Sequence, residues 1–243
     1  MRATRFIALL ALVGAGAAAV FYLKSPRLAP PAPQEVFAEV TRAESLAMAE
    51  RYVRHEWRAT EKNIFHGTDA SGITVNTPDA GYHDDEGKEK GWWKPGEINV
   101  GIPYKWGGFD LPEEFDAGLL AGKYAGDAYS KEKRRLLDDG VSLHAVGIDC
   151  SGFVSRCWNL PRSYSTRELP QLCDEIADWA QLRPGDIFNK HNAHVRLFAG
   201  WADEERTRAI TYEAASKVRR QEYAAADMLA EGYSAWRYKN IKE

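Results

Sequence analysis

Cys150 has the sequence surroundings of a nucleophile. It lies in Ile148-Asp149-Cys150-Ser151-Gly152-Phe153-Val154, and the run continues helically through Arg156, Cys157 and Trp158. This pattern predicts a helix over residues 148–159 with Cys150 at its N-terminus. There the helix macrodipole and unpaired backbone N–H groups favour a thiolate. A thiolate that attacks a carbonyl also needs a base or cationic partner. His194, in Asn192-Ala193-His194-Val195, can supply the imidazole. One strand later, Thr211-Tyr212-Glu213-Ala214 offers a carboxylate. Glu213 could accept a hydrogen bond from the second ring nitrogen of His194 and fix its tautomer.

The other reactive residues read as structural. Cys157 lies seven residues beyond Cys150, two turns along the same helix face. Cys157 and Cys173 are expected to be core residues, with a mutual disulfide as the lesser alternative outside the cytoplasm. His191 and His194 form an HxxH pair beside Asp186, but residues three apart on a strand point to opposite faces, and no metal site is expected. His144 reads as a surface group. The run His83-Asp84-Asp85-Glu86 reads as a solvated loop, and calcium binding there is a remote second reading. Trp92-Trp93 fits either a satellite core or a ligand-facing patch.

The elements that must position Cys150 and His194 follow from periodicity. Thr41 to Ala59 reads as an amphipathic helix, with capping-box spacing at Thr41 and Glu44 and apolar residues Leu46, Ala49, Val53 and Trp57 on one face. From Gly185 onward the pattern turns to period two. It predicts strands at 186–189, 194–201, 208–214, 218–223 and 233–239. A helix followed by an antiparallel meander defines an α+β domain. Two loop-rich insertions interrupt it, at 60–99 and 109–147. The first has a short strand near 73–75, and the second has a charged helical stretch near 131–138.

The 243 residues are 28% charged and 12% aromatic, with three cysteines. They exclude a disordered chain, a disulfide scaffold and a multi-span membrane protein. The net charge of -3 conceals an asymmetry. Arg2, Arg5, Lys24 and Arg27 stand among the first 33 residues without an acid, so the remainder is acidic. A nucleic-acid partner is therefore not expected. Residues 6–23 are 18 apolar or small residues without a charge, preceded by two arginines. Residues 1–24 fit a signal peptide, with Ala17-Ala18-Ala19 as a cleavage pattern, or an uncleaved membrane anchor. Residues 25–40 contain LAPPAP, a stiff proline-rich linker. Either reading places residues 41–243 outside the cytoplasm, periplasmic or extracellular, tethered to the membrane if the segment is retained.

Four motifs stand in order: GIPYKWGG (101–108), DCSGFV (149–154), LRPGDIF (182–188) and AHVRLFAG (193–200). Together they resemble the NlpC-type cell-wall peptidases, a branch of the papain-like cysteine peptidases. The order of cysteine, histidine and orienting polar residue agrees with that branch. The resemblance implies a papain-like fold, with an N-terminal helix carrying the catalytic cysteine packed on a small antiparallel β-sheet. It implies hydrolysis of amide bonds in peptidoglycan stem peptides, often between D-glutamate and the diamino acid. Cys150 would be the nucleophile and His194 the base, with no cofactor and the chain acting as a monomer. Tyr104 would lie beside the nucleophile, and Asp149 and Ser151 would help bind the substrate amine.

Three departures stand out. Glu213 occupies a third catalytic position where such enzymes usually carry His, Asn or Gln. Arg196 stands where they carry a small residue. About 40 residues separate GIPYKWGG from DCSG, an insertion expected beside the substrate groove. Two alternatives stay open. One is a thiol amidase or acyltransferase acting on a non-wall substrate. The other is a membrane-tethered binding module of the same fold without turnover.

Overall fold

The computed structural model of the chain describes residues 37–243. Residues 1–24, expected to be a signal peptide or membrane anchor, and residues 25–36 of the proline-rich linker lie outside the described residues. Among the described residues, no helix is long and apolar enough to cross a membrane.

The first helix, α1 (Arg42–Arg54), starts at the predicted capping box. Thr41 Oγ1 accepts from the Glu44 backbone N–H at 3.1 Å, and the Thr41 N–H donates back to the Glu44 carboxylate at 2.8 Å. It ends five residues before the predicted boundary. Residues Glu56–Trp57 leave the helix to pair with Asn99–Val100. The Trp57 ring is buried against Trp93 and Phe115, and its Nε1 donates to the Gly101 carbonyl. Burying this indole outweighs the helical period, so the buried stripe of α1 is Ser45, Ala49 and Tyr52.

The insertions are more structured than their composition suggests. In the first, His66–Thr68 and Thr74–Asn76 form a small antiparallel pair. The second holds α2 (Pro112–Leu120), which the sequence reading did not anticipate, and α3 (Lys131–Leu136). Although α3 is highly charged, Lys133 is fully buried. Its Nζ donates to Asp127 Oδ2 at 2.6 Å and to the Gly140 carbonyl at 3.2 Å. Burial raises the Asp127 pKa to about 6 against the opposing charge of Lys133.

Helix α4 (Cys150–Cys157) carries the DCSG motif. Six strands follow: β1 (Cys173–Ile176), β2 (Ile187–Lys190), β3 (His194–Trp201), β4 (Arg208–Ala214), β5 (Val218–Ala224) and β6 (Ser234–Tyr238). They form one antiparallel sheet in the order β5-β4-β3-β2-β6-β1. The predicted bounds of β3 and β4 match. The sequence reading missed β1 and the short helix α5 (Ala225–Ala230). The architecture is therefore mixed α and β, with a six-stranded antiparallel sheet.

Helix α4 lies against β3 and β4 and is backed by α1. Val195, Leu197, Tyr212 and Ala214 belong to the core shared with α4, and Phe188, Phe198 and Tyr233 belong to a second cluster. Strand alternation leaves His194, Arg196 and Glu213 out of the core beneath α4.

Candidate active site

Asp149 is the N-cap of α4, and its Oδ1 accepts from the Gly152 N–H at 2.6 Å. The same oxygen accepts from Ser151 Oγ at 2.9 Å. Burial raises the Asp149 pKa, and these hydrogen bonds work in the opposite direction. Gly152 is required by packing. A Cβ there would lie 2.1 Å from the Gly108 carbonyl oxygen, so the motifs around residues 108 and 152 meet backbone to backbone. This contact seats the start of α4, and Cys150 is left 8% exposed in the wall of an open cleft.

His194 follows a tight turn in which Asn192 adopts a left-handed conformation (φ 57°), one that asparagine tolerates. The Arg134 guanidinium of α3 donates to the Asn192 carbonyl, so the second insertion braces this turn. His194 Nε2 lies 2.8 Å from Glu213 Oε2. Nδ1 is left as the ring nitrogen for the thiol, and Cys150 and His194 line the same cleft, close enough for Cys150 to act on the charge of the imidazole. Burial alone would lower the His194 pKa. The negative charge of Cys150 and then the Glu213 carboxylate outweigh it and push the value up to about 9.

Glu213 is 1% exposed and accepts five hydrogen bonds. Oε2 takes His194 Nε2 and Arg196 Nε, the latter at 3.0 Å. Oε1 takes Arg219 Nε and Nη2 at 2.9 and 2.7 Å and the Tyr223 hydroxyl at 2.5 Å. Burial opposes the charge on Glu213, but His194, Tyr223 and Arg219 hold its carboxyl well below the usual carboxylate range.

The three expected catalytic residues therefore converge, and Tyr104, Asp149 and Ser151 line the same cleft. Tyr104 is buried beside the thiol. Burial, followed by the charges of Cys150 and Asp149, raises its pKa well above the ordinary value. Cys157 and Cys173 are free and buried, so the alternative of a disulfide between them is not realised. The Cys173 thiol donates to the Leu169 carbonyl at 3.1 Å, and burial pushes both thiols up. Among the described residues, no group of three or more His, Cys, Asp or Glu is placed to hold a metal.

The cleft has a volume of about 1090 Å³, and both insertions contribute walls. The first brings Tyr82 and Trp92, and the second brings Tyr129 and Leu137. The adjacent tryptophans divide the two roles left open above. Trp93 is buried in the core, while Trp92 lines the cleft with its Nε1 on the Ser216 carbonyl at 3.1 Å. Sequence reasoning missed Arg219, Tyr223 and Tyr233. A usable signal existed for Arg219, because a β4–β5 hairpin centred on Ser216 places residue 213 opposite residue 219, which is the observed register.

This arrangement can perform acyl transfer. It has a thiol at a helix N-terminus, an imidazole in the same cleft that responds to the charge of the thiol, and a buried carboxylate that orients the imidazole. A scan against protein-family models matches no family to this chain, and a search of curated proteins finds no match.

Proposed function

We propose that the protein is an exported cysteine hydrolase that cleaves an amide bond, with peptidoglycan stem peptides as the substrate class. The observation that carries this reading is the convergence of Cys150, His194 and Glu213 in one open cleft, with Glu213 hydrogen-bonded to the imidazole and Cys150 close enough to shift its pKa. A thiol-bearing helix laid on an antiparallel sheet that carries the histidine supports the papain-like, NlpC-type assignment suggested by the four motifs. The uncharged segment at residues 6–23 supports export.

In the mechanism, the Cys150 thiolate attacks the carbonyl carbon and the carbonyl oxygen becomes an oxyanion. The Cys150 backbone N–H, at the start of α4, donates to it. The C–N bond then breaks as the His194 imidazolium gives its proton to the departing nitrogen, leaving a thioester. Neutral His194 next takes a proton from water, the hydroxide adds to the thioester, and the C–S bond breaks. The products are a carboxylic acid and the regenerated thiolate–imidazolium pair. Glu213 keeps the ring oriented throughout and stabilises its charged form.

The test is digestion of purified peptidoglycan by the full chain, with released fragments identified by mass spectrometry. The expected result is new amine and carboxyl termini within the stem peptide, produced by the wild type and not by Cys150→Ala. Identical fragment profiles from the two proteins would refute the assignment.

A further inference from the structure

Arg196 is two residues along β3 from His194 and lines the same cleft. It is 7% exposed. Its guanidinium carbon lies 3.7 Å from the Tyr223 ring centroid and 4.5 Å from that of Tyr233. With the rings covering the guanidinium faces, hydrogen bonding is left to its edge. Of the N–H groups on that edge, Nε donates to Glu213, whereas the buried Nη1 has no hydrogen-bond partner.

The charges around Glu213 are also unequal. Arg219 donates to Oε1 through both Nε and Nη2, and this two-donor ion pair already neutralises one carboxylate. Arg196 brings a second guanidinium to the same carboxylate and uses a single N–H to do so. A buried cationic N–H without an acceptor is costly. A guanidinium used only to hold Glu213 would not need to be placed in the cleft wall beside the imidazole. A planar anion offers both the missing acceptor and the missing charge, and a carboxylate fits the edge of a guanidinium.

We propose that Arg196 is a substrate-binding residue that accepts a carboxylate carried by the substrate next to the scissile bond, so that the enzyme prefers acidic peptides over their amidated forms. This rests on the reading of Cys150 and His194 as the hydrolytic centre, and the test separates the two claims.

Two peptides are compared on the full chain. One is a γ-linked glutamyl dipeptide with its α-carboxyl free, and the other is the same peptide with that group as a carboxamide. Arg196→Gln also removes a contact to Glu213, so both substrates slow, but the ratio of their kcat/KM values isolates the subsite. The expected wild-type preference for the acid is about 10- to 100-fold, falling to under about 3-fold in Arg196→Gln, while Arg196→Lys retains part of it through its charge. A wild type with no preference, or a preference unchanged in Arg196→Gln, overturns the proposal.

If the wild type hydrolyses neither peptide, the hydrolase reading fails on these substrates and calorimetry decides the subsite. Cys150→Ala binding the acid more tightly than the amide, with the difference lost in Cys150→Ala/Arg196→Gln, supports it. Equal binding of the two peptides to Cys150→Ala overturns it.

Discussion

His194 Nε2 lies 2.8 Å from Glu213 Oε2, and the carboxylate that holds the imidazole is itself held by Arg196, Arg219 and Tyr223. A lone carboxylate this deeply buried would protonate or pull water inward. His194, Tyr223 and Arg219 keep it ionised, and the guanidinium groups of Arg196 and Arg219 beside it offset its charge. The imidazole therefore has a rigid, strongly accepting partner whose net field is far smaller than that of a free glutamate. A glutamate buried at this position is workable only with these arginines in place.

Replacing Cys150 with Ala is expected to lower amide hydrolysis by about 10⁴-fold or more with no change in circular dichroism. Peptide mapping after brief iodoacetamide treatment of the native wild type should find the label on Cys150. Cys157 and Cys173, whose thiols are pushed up by burial, should stay unlabelled. Turnover by the Ala variant at the wild-type rate would remove Cys150 from the mechanism.

The pH dependence follows from His194. Its pKa is raised to about 9 by the charges of Cys150 and Glu213 acting against burial, so the imidazolium needed to protonate the leaving nitrogen is lost above that pH. The kcat/KM profile should fall as pH rises through about 9, and Glu213→Gln should move this limb to lower pH. The sign for stability is the same. A folded pKa above the unfolded value stabilises the fold fully below about pH 6.5, and the contribution disappears as pH passes through about 9. A falling limb near 6.5 in the wild type would contradict the coupling to Cys150 and Glu213.

Glu213→Leu removes the acceptor of both arginines and leaves Arg196 buried with an uncompensated charge. Urea unfolding should show a loss of about 3–5 kcal/mol. Glu213→Gln retains an acceptor oxygen and should lose less. Equal stability of Glu213→Leu and the wild type would mean that the arginines find other partners.

Gly152→Ala tests the seat of α4. Its Cβ would meet the Gly108 carbonyl oxygen at 2.1 Å, a backbone atom that no rotamer change can move aside. A loss of about 3 kcal/mol is expected, together with a fall in kcat greater than the rise in KM, because the helix carrying Cys150 must shift. Unchanged kcat and an unchanged melting temperature would show that the two backbones can separate freely.

Much of this arrangement was legible in the residues alone. The capping box at Thr41 and Glu44, the helix start around Cys150, and the period-two strands around His194 and Glu213 are local patterns. Each depends on hydrogen bonds or alternation within a few residues, and such signals survive without knowledge of the fold. Trp57 shows where local reasoning ends. Its helical spacing placed it in α1, but burial against Trp93 and Phe115, dozens of residues away, drew it into a strand.

The insertions mark the same limit. Their polar composition reads as loop, yet a buried Lys133–Asp127 pair and the Arg134 contact to Asn192 fix the second one against the turn that precedes His194. The sequence by itself determined which side chains could act as nucleophile, base and orienting group, because those roles follow from residue type and the elements around them. Only the tertiary structure decided that Glu213 shares its charge with two arginines, that Arg196 keeps an N–H without a partner, and that Trp92 rather than Trp93 faces the cleft. Those outcomes depend on which distant strands and insertions pack side by side, and on the desolvation that packing imposes on each charge.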